Sequence, residues 1–187
     1  MKFQNGDIIF IMNHHMWISR TIAWFMGSKW SHCGIVIDRS VDRTYTTETT
    51  DYEVAIGILE SYLYHPSVSI EVYRAKSLSE DEKKMIVSEC LKNLWKTYGY
   101  LQLISLGIRR LLIRYLGIKI GNFFRQGIIC CGHVLYGYSK TSLPVIGGID
   151  PESIDTEELY VLVKSIKDQK GKPVFERVAQ KYASTMD

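Results

Sequence analysis

The stretch VSIEVYRA, residues 68–75, alternates without a break: Val68, Ile70 and Val72 fall on one side, Ser69, Glu71 and Tyr73 on the other. A period of two belongs to a β-strand. A strand must pair, so this stretch commits the chain to a sheet. Partners are legible upstream. GDIIFIM is an apolar run after a glycine, and SHCGIVID and TYTTETT read as two strands joined by the turn RSVDR. Helix signals fall between and after them. Asn13 can cap a helix through MWISRTIAWFM, which Gly27 ends. Ser79 and Glu82 form a capping box ahead of a helix to about Trp95, closed by Gly99. Residues 100–120 are helical in period, strongly apolar and basic on one side, and a short helix is expected from Cys131 to Ser139. IDPESIDTEELYVLVKSI reads as a turn with one helical turn, then a final strand from about Leu159. Strands early, helices in the middle and a strand late predict an α+β domain, not a doubly wound one. The expected organisation is one domain over 1–166, with a basic apolar helical insert at about 101–124. A polar tail over 167–187, weakly helical or partly disordered, follows it.

Charge and cysteine usage narrow the function. A formal charge of +3 is too small to imply a nucleic-acid partner. Met1–Phe3 leads at once into NGDIIFIM, with no basic start and no small-residue cleavage site, which predicts a cytoplasmic protein. The most apolar long stretch carries Arg109, Arg110, Arg114 and Lys119, so it is not read as a membrane span. Cysteines at 33, 90, 130 and 131 do not form a disulfide framework, and the chain reads as a reduced intracellular protein.

The candidate chemistry sits in two places. In SHCGIVID, His32, Gly34 and Val36 share one face of a strand, while Cys33, Ile35 and Ile37 share the other, wholly apolar face. Cys33 is then a core thiol, and His32 is either a satisfied structural histidine or a base with room beside it at Gly34. If TYTTETT pairs antiparallel in an even register, Glu48 falls opposite His32 or Gly34 and can accept from Nδ1–H. In an odd register it is a solvated edge glutamate. In GIICCGHVLYGYSK, Cys131 is placed at a helix start, where free N–H groups favour thiolate and can help bind an oxyanion, with Gly132 beside it. Cys130 continues the apolar run and is expected to pack inward. His133 lies about 200° round the helix from Cys131 and reads as a flanking residue. Cys33, Cys130, Cys131 and His133 have the ligand types for zinc, but neither C-x₂-C nor H-x₃-H spacing occurs, so no metal is expected.

The ordered set GDIIF, WSHCGIVID, TYTTETT, YGYLQL, CCGHVLYGY and IDPESI resembles the circularly permuted branch of the NlpC-type papain-like cysteine hydrolases, which includes YiiX-like and poxvirus-type members. The resemblance spans about Gly6 to Val163. It implies a papain-like antiparallel sheet packed on helices, and a catalytic set of His32, Glu48 and Cys131, with Cys131-Gly132-His133-Val134 matched to the family's C-S-x-x-V. Gly132 replaces the usual serine, and Asp150-Pro151 the usual T-P. The histidine precedes the cysteine, which is no obstacle because such sites are defined by geometry. The implied reaction is hydrolysis through a thioester, without cofactor, on peptide amides such as cell-wall peptides. Lipid esters, acyl transfer and a silent binding module of the same fold are the alternatives. Cell-wall peptides would need release by lysis or carriage in a virus particle. For 101–124, a core helix with snorkelling arginines stands beside a cationic lid over a substrate groove. That lid would involve Tyr100, Arg109, Arg110 and Arg114, and would touch an acyl chain or a membrane surface.

Overall fold

A computed structural model describes residues 2–183 except Val41, 122–123, 125–126, 144–145 and 147–148. Six strands make one sheet: β1 (Ile8–Asn13), β2 (His32–Arg39), β3 (Thr44–Thr49), β4 (Val54–Ile58), β5 (Val68–Ala75) and β6 (Phe175–Lys181). Their order is β4-β3-β2-β1-β5-β6, and every neighbouring pair is antiparallel. The described helices are α1 (Trp17–Met26), α2 (Leu59–Leu63), α3 (Glu80–Leu91), α4 (Tyr100–Leu116), α5 (Cys130–Tyr138) and α6 (Thr156–Ser165).

Alternation decides which face each strand offers. Ile8, Phe10 and Met12 of β1 and Cys33, Ile35 and Ile37 of β2 point to the larger core, shared with Ile86 of α3, Val134 and Tyr138 of α5, and Leu159 and Val163 of α6. Ile9, Ile11, Val36, Ile70 and Val72 face the other way, under Leu59 of α2. The second face of β5 is not solvated either. Glu71 is fully buried there, accepting from the hydroxyls of Tyr73, Tyr160 and Tyr182 and from Lys29 Nζ. Burial opposes its charge, but these donors hold it at about 2, so the carboxylate stays ionised.

Several helix ends follow the sequence signals. Ser79 and Glu82 complete the capping box of α3, and Gly27 and Gly117 end α1 and α4 in the left-handed conformation. Three expectations are corrected. Residues from Leu159 do not form a strand: Asp155 and Glu158 form a second capping box, and α6 buries Leu159, Tyr160 and Val163 on one side. The last strand is β6, inside the expected polar tail, where Phe175 and Ala179 turn to the cores and the backbone pairs with β5. The insert helix stops at Leu116, and residues 122–123 of the expected 101–124 segment, like 184–187 of the tail, lie outside the described residues. The sequence reading also passed over β4 and α2.

Candidate active site

The sheet register builds the first half of the site. β2 and β3 pair with Glu48 opposite Gly34, so Glu48 and His32 share a face. His32 Nε2 and Glu48 Oε2 are 2.7 Å apart. The nitrogen facing the carboxylate is Nε2, not the Nδ1 expected, which leaves Nδ1 free for another partner. Glu48 is 4% exposed and also accepts from Tyr62 Oη at 2.7 Å and Thr46 Oγ1 at 3.3 Å. Its carboxylate lies over Gly57 of β4: a Cβ at that position would stand 2.0 Å from Glu48 Oε1. Burial raises the Glu48 pKa, but His32 and the two hydroxyls more than offset this and hold it below its ordinary value.

The second half comes from the start of α5. The helix opens at Cys130, after Ile129, and no side chain caps it; its first intrahelical bond runs from His133 N–H to the Ile129 carbonyl. The N–H groups of the first turn therefore have no helical partner, which favours a thiolate there. The chain approaches closely at Gly132, where a Cβ would meet the Pro151 carbonyl oxygen at 2.7 Å.

The two adjacent thiols differ in their neighbours. Of the two thiols it is Cys130 that is electrostatically coupled to His32. Cys131 Sγ lies 3.3 Å from Thr156 Oγ1 at the start of α6, and Cys130 Sγ lies 3.8 Å from the same hydroxyl. The Cys130 thiol is pushed well below its ordinary range by donation from Cys131 and Cys33 and by His32, against burial. Burial and the neighbouring Cys130 push Cys131 the other way. Burial lowers His32, yet Cys130 and Glu48 overcome it and push the imidazole up to about 10. His32 and Cys130 therefore favour an imidazolium–thiolate pair.

Cys33, read as inert core, is buried but belongs to this cluster: the sulfurs of Cys33, Cys130 and Cys131 lie within 4.8 Å of one another. Among the described residues no histidine nitrogen or carboxylate oxygen joins them in that span, so the set falls short of the four ligands of a structural zinc site. His133 is fully buried, with neither ring nitrogen partnered among the described residues, and burial pushes it down to about 4, so it is neutral.

His32 and Glu48 open onto a cleft of about 260 Å³, walled by Met16, Ile18 and Ile22 beside α1, and by Asp51, Tyr62 and Tyr98. Tyr98 was missed by the sequence reading. Burial and the nearby thiols raise its pKa far above the ordinary value, so it remains a phenol donor. Tyr100, an expected groove residue, is half exposed beside it, with ring centroids 4.7 Å apart, and its hydroxyl donates to the Asp51 carbonyl at the cleft edge. Arg109 and Arg110 are not free lid residues. Arg109 pairs with Glu158, and Arg110 with the buried Asp155, tying α4 to the cap of α6. Arg114 is exposed.

His32 and its buried carboxylate partner lie on an antiparallel sheet, and a pair of thiols opens the helix α5. Residues 2–104 match the permuted papain-like amidase enzymes of the YaeF/YiiX, C92 family, and the chain belongs to that family. Among solved structures it is similar to one described as metalloprotein YiiX from Escherichia coli O157:H7. The TM-score is 0.54 and the identity 18%, over 96% of this chain and 98% of that one, which shows a common fold. No curated protein sequence matches the chain. No helix among the described residues is long and apolar enough to cross a membrane.

Proposed function

We propose that the protein is a cysteine amidase acting on peptide amide bonds through a Cys130–His32–Glu48 site. The observation that carries this reading is the position of His32, 2.7 Å from Glu48 through Nε2 and electrostatically coupled to Cys130. Glu48 fixes the imidazole and leaves Nδ1 for the thiol. The Cys130 thiolate attacks the substrate carbonyl carbon, and the carbonyl π-electrons move onto oxygen. The Cys130 N–H at the open helix end and the Tyr98 hydroxyl are suited to receive that oxyanion. As the oxyanion collapses, the C–N bond breaks and His32 gives its proton to the leaving amine. A thioester on Cys130 remains. Water, deprotonated by neutral His32, then attacks the thioester; the C–S bond breaks, the acid leaves and the thiolate is restored.

The test is turnover on a panel of peptide amides by wild type, Cys130→Ala, Cys131→Ala and Tyr98→Phe. Loss of turnover with Cys130→Ala, retention with Cys131→Ala and a drop of about 10²-fold with Tyr98→Phe are expected. Turnover surviving Cys130→Ala would refute the assignment.

A further inference from the structure

We infer that α1 and α4 form a surface that binds anionic lipid bilayers and sets the cleft against the bilayer. The helices pack on each other, with Phe25 lying against Gly107, where a Cβ would be 2.6 Å from the Phe25 ring. Each then turns an apolar stripe outward. On α4, Leu101, Ile104, Ile108 and Tyr115 recur at helical spacing and are 41–63% exposed. On α1, Trp17 and Trp24 lie seven residues apart on one side, 72% and 55% exposed. Side chains of this size are seldom left in water in such number on two packed helices.

The charges identify the occupant. Neither helix contains an acidic residue. Arg109 and Arg110 are taken up by Glu158 and Asp155. Arg20 and Arg114, with Lys119 just beyond α4, are exposed and have no ion pair among the described residues. A second copy docking symmetrically on this face would bring these cations together with no carboxylate from either helix to neutralise them. An anionic bilayer surface supplies the missing negative charge, and tryptophan and tyrosine side chains suit its interfacial zone.

The position relative to the cleft gives the surface its use. Ile18 and Ile22 of α1 wall the cleft, and Tyr100 at the start of α4 bonds Asp51 on its rim. A protein lying on a bilayer by this face presents His32 beside the lipid surface. Substrates carried on or in that surface then reach the site without crossing bulk water. This inference stands apart from the thiol chemistry, because binding can be measured with the nucleophile removed.

The experiment is co-sedimentation of the full chain, as wild type and as Cys130→Ala, with phosphatidylcholine vesicles containing no phosphatidylglycerol or roughly one third of it. Three cations near an anionic surface predict a preference for the anionic vesicles on the order of 100-fold, weakening as salt rises from ~50 to ~200 mM. Cys130→Ala should bind like wild type. Two double variants, Trp17→Ser with Trp24→Ser and Ile104→Ser with Ile108→Ser, should each lose at least about tenfold in binding with unchanged circular dichroism, since all four residues are exposed. Absence of vesicle binding by folded protein would overturn the inference. So would equal binding to both vesicles, or a concentration-dependent dimer that these variants abolish.

Discussion

Replacing Glu48 by glutamine removes one charge and keeps the shape. The carboxylate is 2.7 Å from His32 Nε2 and 4% exposed, so it makes a charge-assisted bond little screened by water. Such bonds are worth about 1.5–3 kcal/mol, or about 1–2 pH units on the imidazolium's titration. Burial lowers His32, and Cys130 with Glu48 holds it at about 10, so the imidazolium persists to about that pH in the wild type. In Glu48→Gln the alkaline limb should move down to roughly pH 8–9. The assay is alkylation by iodoacetate, an anionic reagent favoured by the imidazolium beside the sulfur, followed across pH with the labelled cysteine identified by peptide mass spectrometry. Label should fall on Cys130. Its rate should decline near pH 10 in the wild type and about 1–2 units earlier in the variant. An unmoved alkaline limb, or label on Cys131, would refute the coupling of Glu48 through His32 to Cys130.

The remaining expectations test the scaffold. Gly57→Ala should act like Glu48→Gln, because its Cβ would occupy the place of the carboxylate, 2.0 Å from Oε1; the alkaline limb of the same alkylation profile reads this out. Arg110→Ala should lower stability by about 1.5–3 kcal/mol in urea unfolding, since it leaves the buried Asp155 with the Glu158 N–H but without its ion pair, whereas Arg114→Ala, at an exposed cation, should change it little. His133 is pushed by burial from 6.5 down to about 4, so it takes up a proton on unfolding between those values; stability should fall by about 3 kcal/mol as pH drops through this window. His133→Leu should flatten that part of the unfolding-versus-pH curve. The raised His32 works in the opposite sense: its contribution is full below pH 6.5 and is lost as pH rises towards 10.

Apolar runs and alternation located β1, β2, β3 and β5, the capping box located the start of α3, Gly27 the end of α1, and the helical period of residues 100–120 located α4, because these signals are local. LYVLV misled for the same reason. A short apolar run suits strand or helix equally, and the Asp155–Glu158 cap that settles it lies just upstream. Alternation in each strand narrowed the pairing of His32 and Glu48 to two registers, and the structure adopts the even one that puts them on one face.

From the chain alone come an antiparallel sheet, neighbouring strands that carry His32 and Glu48, and a pair of thiols near a helix start. Which thiol couples to His32 is not a local property of the chain. Cys130 and Cys131 are adjacent in the chain and both lie near Thr156, at 3.8 and 3.3 Å, and they differ in that His32 is coupled to the first. The gathering of Cys33 with them, the fold of Glu48 over Gly57 and the capture of Arg110 by Asp155 likewise join residues distant in sequence. Successive residues of a helix point about 100° apart, and which of them faces the sheet is a choice that local sequence signals leave open and packing fixes.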